Sequence, residues 1–435
     1  MPRTPEDVYR RLGGKIDGLT ARTPWNGAFH AILKELYTVE EADVVARMPH
    51  SLSSLDRVSR VTGVPEARLR GVLDGLCSKG LVFDLWNERE NSWHYMPSPL
   101  VVGIFEFTMM RTEGGLDTRK WAKLFHEYFP AVYPANFSRG EVVSALRVIP
   151  VEENIPAGEG LEFLDYEKAS SIISGSGRFA LGICSCRNEK SLLGDKRCDA
   201  PLDTCSMFGF GADYAIRHNL GREVSRDEMI DNFARSRDHG LVLCTYNTQR
   251  SPLAVCHCCT CCCNYLAGLT RFGYLNAVVT STFIASLNEG SCTSCGKCAK
   301  ACPTGALAMV SVDDPGRKSK ARASLNSGLC VGCGVCVSSC RTGALAMKSR
   351  AKRSIHPETL FQATILGSLE RGTLQNQLFD NPESVTQQFA RTLLGAFLGL
   401  SPVKKALMSD ALRSTFLGIM KAGATLQGKG WITRL

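Results

Sequence analysis

Residues 292–303 read CTSCGKCAKACP, and residues 330–341 read CVGCGVCVSSCR. Each segment spaces its cysteines as C-x2-C-x2-C-x3-C, and the second segment begins 38 residues after the first. The flanks repeat as well, because TGALAM stands at 304–309 and again at 342–347. Spacing and flanks together indicate an internal duplication.

The eight cysteines of these runs are predicted to be metal ligands. A C-x2-C-x2-C loop curls around one [4Fe–4S] cube and supplies three thiolates, and the cysteine that follows points across the duplication. Two clusters are predicted, one held by Cys292, Cys295, Cys298 and Cys340, the other by Cys330, Cys333, Cys336 and Cys302. A zinc site or a disulfide knot is the alternative, but zinc sites prefer two separated C-x2-C pairs.

Residues 289–348, which contain both runs, resemble a bacterial-type dicluster ferredoxin. The resemblance implies two [4Fe–4S] cofactors and one-electron transfer. One departure from the family is Arg341, where a proline is usual, and it concerns the turn after Cys340 rather than the ligand. The stretch from 311 to 328 is longer than in minimal ferredoxins. It is predicted to be an exposed basic loop with Arg317, Lys318, Lys320 and Arg322.

Eleven further cysteines lie between residues 175 and 273, and we divide them into two sets. The first set has four thiolates, enough for one cubane, with a structural zinc as the alternative; it comprises Cys184, Cys186, Cys198 and Cys205. The second set comprises Cys244, Cys256, Cys258, Cys259, Cys261, Cys262 and Cys263. Neighbouring side chains diverge, so adjacent cysteines are expected not all to face one metal. The second set is compatible with another [4Fe–4S] cluster, a less regular cluster or a redox-active dithiol.

Residues 178–268 resemble a group of bacterial multi-cluster 4Fe–4S proteins. The shared features are a C-x-C-R start at 184–187, a C-x2-P-x3-C step at 198–205 and a dense cysteine run before a dicluster ferredoxin. The segment PLVVGIFEF at 99–107 is similar to theirs too, whereas His257 stands where the group is expected to have asparagine. The resemblance implies cluster binding and electron transfer.

The first hundred residues predict helices over 27–39 and 42–48. Two further helices, ending at Thr62 and Ser78, and strands at 81–85 and 92–96 are predicted to follow. Over residues 25–98 this order resembles bacterial winged-helix regulators. Residues 1–100 carry 13 basic and 13 acidic side chains. Because DNA affinity depends largely on phosphate neutralisation, nucleic-acid binding is disfavoured relative to packing or partner docking.

The C-terminal stretch 352–427 predicts amphipathic helices. Residues 347–435 carry 12 basic and 5 acidic side chains, so most of the chain's net charge of +9 lies here. One predicted apolar face comprises Val385, Phe389, Leu393, Leu394, Phe397 and Leu400. The helices are interpreted as a cap on the ferredoxin segment, with two alternatives: a docking surface for an acidic redox partner, or a peripheral membrane contact.

The fold class predicted from these observations is α+β in five segments. They are a winged-helix-like domain (1–100), a connecting segment (101–175), a cysteine-rich iron–sulfur domain (176–288), a dicluster ferredoxin-like domain (289–348) and a basic helical extension (349–435). The N-terminus lacks the apolar stretch of a signal peptide, and no run of 18 apolar residues occurs. A cytoplasmic protein without a transmembrane segment is therefore expected.

The expected function is electron transfer, in which single electrons pass through two to four [4Fe–4S] clusters to or from a partner reductase or dehydrogenase. The sequence contains no Rossmann glycine fingerprint, P-loop or flavin signature, so any catalysis must occur at a metal or in a partner. One alternative is an oxidoreductase with substrate chemistry at a cluster in the Cys256–Cys263 run. The other is a redox-sensing winged-helix regulator.

Overall fold

The computed structural model describes residues 4–112, 115–137, 144–155, 164–311, 321–351, 354 and 356–434. It begins with helices α1 (Pro5–Asp17), α2 (Gly27–Leu36) and α3 (Val39–Arg47). Capping boxes start α1 and α3, where Thr4 pairs with Asp7 and Thr38 with Glu41. These caps satisfy amide groups that the first helical turn leaves without partners.

A helix pair and a small sheet follow, made of β1 (Ser53–Ser54), α4 (Leu55–Thr62), α5 (Glu66–Ser78), β2 (Val82–Asn87) and β3 (Ser92–Pro97). The sheet is antiparallel with the order β1-β3-β2. Both helices and both longer strands confirm the elements predicted from the sequence. The expected apolar stripe of α5 faces the core, with Leu69, Leu73 and Leu76 buried and Val72 half-buried.

Helices α6 (Phe105–Met110) and α7 (Thr118–Phe137) come from the predicted connecting segment, yet they pack into the N-terminal core. Tyr128 of α7 stacks on Phe29 of α2, and its hydroxyl donates to the Pro24 carbonyl at 2.7 Å. Gly80 allows α6 to come close, because a Cβ at this position would lie 2.1 Å from Cβ of Phe107. The φ of Gly80 is +76°, a left-handed backbone conformation that also favours glycine.

The cysteine-rich middle is built on a six-stranded antiparallel sheet with the order β4-β8-β9-β6-β5-β7. Its strands are β4 (Leu146–Ile149), β5 (Phe179–Gly182), β6 (Cys205–Phe208), β7 (Gly221–Glu223), β8 (Val242–Tyr246) and β9 (Ala254–Cys258). Strand β4 also comes from the segment that the sequence treated as connecting. The helices between these strands are α8 (Ala169–Ser174), α9 (Ser185–Leu192), α10 (Phe210–Arg217) and α11 (Arg226–Asp238), and α12 (Asn264–Thr270) follows β9.

Helix α11 packs on this sheet, and helix α10 connects it to the N-terminal region. Met229 and Phe233 of α11 pack on Phe208 in one apolar cluster. On the other side, the Tyr214 hydroxyl of α10 donates to the carbonyls of Cys77 and Val82, at 3.1 and 3.0 Å. Helices α10 and α11 lie within the two stretches, 208–219 and 225–239, for which the sequence predicted helices.

The duplicated segment forms two strand pairs with a short helix after each triple cysteine run. Strand β10 (Phe283–Leu287) pairs with β13 (Leu345–Ser349), and β11 (Leu307–Ser311) pairs with β12 (Ala321–Leu325). The helices are α13 (Lys297–Ala301) and α14 (Val335–Ser338). Three equivalent positions are left-handed in both copies: Ser294 and Gly332, Gly296 and Gly334, and Gly305 and Gly343. The sequence duplication is therefore also a backbone duplication.

The predicted basic loop between the repeats is described only in part. Arg317, Lys318 and Lys320 lie outside the described residues. Arg322 is in strand β12 rather than in a loop, and its guanidinium contacts the Glu289 carboxylate at 2.7 Å.

The C-terminal helices are α15 (Leu360–Arg371), α16 (Leu374–Leu378), α17 (Val385–Gly399), α18 (Ser401–Met408) and α19 (Asp410–Leu426). Their anchor is Asp380, which is paired with Arg57 at 2.5 Å and with Lys429 at 3.0 Å. The Asn376 side chain also donates to the Gly18 carbonyl at 2.9 Å. The interpretation as a cap on the ferredoxin segment was wrong in this respect, because these anchoring contacts run to the N-terminal region.

Helix α17 leaves most of its predicted apolar face exposed. Phe389 is 66% exposed and Phe397 is 54% exposed, and Val385, Leu393 and Leu400 are exposed as well. Across the described ranges, the chain has no helix with the length and apolar character needed to cross a bilayer.

We expect Asp380→Ala to loosen the C-terminal helices by about 3 kcal/mol at pH 7, because the substitution breaks a buried ion pair. Amide hydrogen exchange across α15–α19 measures the loss. Burial alone would raise the pKa of Asp380, but Lys429, Ser51 and Arg57 lower it. The stabilisation is therefore complete above the usual carboxyl pKa of about 3.9 and disappears as the pH falls through the lowered pKa.

The matched control is Asp410→Ala in the same helical region. Asp410 pairs with Arg413 at 2.9 Å, but its side chain is 84% exposed, against 7% for Asp380. Exposed pairs contribute at most about 1 kcal/mol, so exchange should change little. Equal effects of the two substitutions would contradict the anchoring role of Asp380.

Candidate metal centres

Four cysteines from the two repeats line one small cavity. Three belong to the second run, and Cys302 reaches them from the first; the set is Cys302, Cys330, Cys333 and Cys336. Cys302 ends α13 and is followed by Pro303, so the chain turns toward the other repeat at this point. The structure thus places together the four residues that the sequence assigned to one cluster. Their role as ligands stays a prediction.

The other predicted set lies nearer the surface. Cys298 is buried, Cys292 and Cys340 are half-buried, and Cys295 is exposed. The backbone N–H of Lys297 lowers the pKa of Cys295. Burial alone would raise the pKa of Cys340, but the Thr342 hydroxyl and nearby backbone N–H groups lower it.

Backbone N–H groups face the sulfurs of both C-x3-C cysteines. The N–H of Leu307 donates to Sγ of Cys302 at 3.4 Å, and the N–H of Leu345 does the same for Cys340 in the second copy. Such bonds stabilise thiolates and tune the potential of a bound cluster. Within the described ranges, no cysteine is paired in a disulfide.

In the middle region, four thiols meet in a group that the sequence did not predict. The Sγ atoms of Cys198, Cys259, Cys261 and Cys262 all lie within 4.8 Å of one another. Cys198 was grouped with Cys184, Cys186 and Cys205 on spacing, but its Sγ atom lies 3.6 Å from that of Cys259, which was placed in the second set. Cys198 lies in the loop after helix α9, against the turn that follows strand β9.

The expectation that adjacent cysteines diverge was wrong at one place. The Sγ atoms of Cys261 and Cys262 lie 3.4 Å apart. Residues 260–262 form a turn rather than a strand, so successive side chains need not alternate between two faces.

A buried guanidinium accompanies this group. Arg187 is fully buried and donates to the carbonyls of Pro201 and His257, at 2.6 and 2.8 Å. A hydrogen bond from Cys262 and the Arg187 charge lower the pKa of Cys259 to about 4. Two lysines nearby have other partners: Lys190 pairs with Glu189 at 2.8 Å. Lys196 donates to the backbone carbonyl of Cys198.

The other seven cysteines surround a second, larger centre. Six of them line one cavity: Cys184, Cys186, Cys205, Cys256, Cys258 and Cys263. The seventh, Cys244, shares one apolar cluster with Cys258 and Cys263. Burial raises the pKa of Cys184 to about 12. Thiolates in this cavity therefore need a metal ion or cluster to compensate their charge.

Sequence analysis missed three polar residues on this cavity, namely Glu106, Tyr246 and Tyr265. The Glu106 carboxylate accepts the N–H of Gly103 at 2.9 Å, and burial raises its pKa to about 7. The only signal was the segment 99–107, noted for its resemblance but not for its carboxylate. Val102 in this segment has a φ of +56°, which is strained for a β-branched residue.

The second ferredoxin loop lies directly on the middle centre. Cys333, Val331 and Val335 share one apolar cluster with Cys244 and Cys258. The N–H of Val151, just after β4, donates to the carbonyl of Cys333 at 3.0 Å. One cysteine set of the duplicated segment is therefore packed against the cysteine-lined cavity of the sheet.

Comparison with known protein families matches residues 291–344 to the 4Fe-4S dicluster domain. No curated protein and no solved structure matches the chain. The matched residues contain both cysteine runs and the crossing positions Cys302 and Cys340. The chain is thus an iron–sulfur protein with [4Fe–4S] cofactors, and it contains a 4Fe-4S dicluster domain.

Proposed function

We propose that this protein passes single electrons between a partner oxidoreductase and its own cysteine-rich centre, by way of the two clusters of the dicluster domain. The observation that carries the proposal is the packing of Cys333 against Cys244 and Cys258 in one apolar cluster. Stepwise transfer along cubanes needs short separations and low dielectric between centres, and this contact provides both.

Hydrogen bonds hold the loop of residues 331–335 in place at the junction, where the second cysteine run packs against the six-stranded sheet. The Ser281 hydroxyl donates to the carbonyl of Gly332 at 2.7 Å, and the Asn154 amide donates to the carbonyl of Gly334 at 2.9 Å. Arg350 donates to the carbonyls of Ser281 and Phe283, both at 3.1 Å. A fixed loop changes little when a cluster gains an electron, which favours rapid transfer.

The two predicted cluster sites differ in access. Cys295 is exposed, whereas the first three cysteines of the second run are buried. The site of Cys292, Cys295 and Cys298 is thus the natural entry point for electrons from a partner. The site of Cys330, Cys333 and Cys336 relays them to the sheet. The partner is proposed to be a reductase or dehydrogenase.

The exposed face of α17 is an apolar surface available for a peripheral contact, either with that partner or with a membrane. Flotation with anionic vesicles separates these two uses, because only membrane contact carries the protein upward with lipid.

The N-terminal domain is proposed to be a winged-helix-like packing module rather than a DNA reader. On α5, Arg68 is paired with Glu40 at 2.6 Å, and Lys79 following α5 is paired with Glu41 at 2.7 Å. On the hairpin, His94 packs edge-on against Trp431 of the C-terminal region. Cations engaged in ion pairs and a covered strand do not suit phosphate binding.

A second candidate function is substrate chemistry at the middle centre. The carboxyl of Glu106 and the hydroxyl-bearing Tyr246 and Tyr265 line a cavity that eight cysteines also line. Such groups could donate protons to a molecule bound at an iron with an open position. Cyanide, a small ligand for open iron, should then shift the electron paramagnetic resonance spectrum of the middle cluster. An unchanged spectrum favours pure electron transfer.

Electron transfer requires intact clusters, and the crossing ligands test them. Cys302→Ala and Cys340→Ala should each remove about four iron atoms per chain after anaerobic reconstitution, since each deprives a different cubane of its fourth thiolate. Iron and acid-labile sulfide give the count, and paramagnetic resonance after dithionite reduction shows which signal is lost. The two variants should retain different signals. Loss of the same signal in both would contradict the crossing arrangement, and a chain that accepts no electrons would end the proposal.

The junction itself is tested by Gly332→Ala. A Cβ at this position would lie 2.1 Å from the Phe283 carbonyl oxygen, so the loop must shift relative to β10, which displaces the neighbouring Val331 and Cys333. Gly343→Ala is the matched control, because it has a similar positive φ but nothing within 4 Å of the added carbon. Both substitutions cost about 1 kcal/mol for the left-handed backbone. Only Gly332→Ala should slow reduction of the middle centre in freeze-quench experiments. Equal rates would show that the junction is not on the electron path.

A further inference from the structure

The four thiols grouped around the 260–262 turn have the spacing of a single metal ion. The Sγ atom of Cys259 lies 3.6 Å from that of Cys198 and 3.8 Å from that of Cys261, and Cys261 lies 3.4 Å from Cys262. A tetrahedral metal with metal–sulfur bonds of about 2.3 Å places its four sulfurs about 3.8 Å apart. A cubane has four irons and four sulfides between its cysteines, so its thiolates lie farther apart.

The same chain offers an internal comparison. All eight cysteines of the dicluster domain lie within the described ranges, and no three of them bring their Sγ atoms within 4.8 Å of one another. The structure therefore gives one spacing to the cysteines that match a cubane-binding family and a tighter spacing to this group. The difference indicates a different metal centre.

We infer that Cys198, Cys259, Cys261 and Cys262 bind one zinc ion, in addition to the [4Fe–4S] clusters. Four sulfur ligands with no open position are typical of structural zinc. Thiolate sites also bind Zn²⁺ more tightly than Fe²⁺ along the first-row series. Binding releases the thiol protons and leaves a site with a charge of −2, which the charge of the buried Arg187 guanidinium partly offsets.

The ion would join two loops that the sheet does not connect. Cys198 belongs to the loop after α9, whereas the other three ligands belong to the turn after β9. Within that turn, the Thr260 hydroxyl donates to the carbonyl of Pro303 at 3.0 Å, next to Cys302. Zinc would thereby fix the turn that supports a ligand of the dicluster domain, which is a structural role separate from electron transfer.

The test uses the full chain, purified without oxygen, after iron and sulfide analysis shows that its [4Fe–4S] clusters are complete. Mass spectrometry of metals should find one zinc per chain. X-ray absorption at the zinc edge should show four sulfurs at about 2.3 Å and no neighbouring metal. Iron at these four sulfurs, or a cluster-replete chain without zinc, would overturn the inference.

Variants locate the ion. Cys259→Ser and Cys262→Ser should each lose the zinc while the dithionite-reduced signals of the dicluster domain persist. Cys295→Ser is the reciprocal control, since this exposed cysteine belongs to a predicted cluster site: it should lose iron and keep zinc. Zinc retained in both serine variants of the turn would place it elsewhere and overturn the site. If either variant fails to fold, the absorption spectrum of the unaltered chain still decides the ligand set. Failure of the electron-transfer proposal would show separately, as missing iron signals in a chain that holds zinc.

Discussion

Buried thiolate charge is the constraint on which the rest of this structure depends. A thiolate withdrawn from water is costly unless a metal, a cation or N–H donors compensate its charge. Nineteen of the chain's twenty cysteines lie between residues 184 and 340, and most of them are buried or half-buried. The surrounding fold supplies the compensation, through Arg187 at one group and through backbone N–H groups at the others.

Helix starts and strand pairing bring several of the middle cysteines together. Cys184 is the N-cap of α9 and Cys263 is the N-cap of α12, where the N–H of Leu266 donates to its sulfur at 3.4 Å. Amide groups at helix starts have no partner within the helix, and they favour negative charge. Strands β8 and β9 then place Cys244 directly opposite Cys256 in the sheet. Local structure and sheet pairing thus converge on the same centre.

The sequence predicted well wherever the signal was local. The duplicated cysteine runs, the α4–α5 pair and the strands of the N-terminal hairpin each follow from patterns within about 15 residues, and the structure contains them. The grouping of the middle cysteines was not predictable in this way. Cys198 and Cys259 are 61 residues apart in the sequence, and only the tertiary fold brings their sulfurs together. The spacing of cysteines along the chain therefore does not predict this contact. Glu106 was missed for the same reason, since its cavity is completed by residues from β8, β9 and α12.

The iron–sulfur clusters and the inferred zinc site have different physical roles. A centre that carries electrons must tolerate a change of charge, so its surroundings have to stay in place while the charge alters. A closed zinc site keeps its charge at every potential, because zinc has no accessible redox state. Its turn is tied through Thr260 to Pro303, beside a predicted cluster ligand. A redox-inert ion at that point would hold the loop fixed whether the adjoining cluster is oxidised or reduced, which an iron centre at the same position could not do as uniformly.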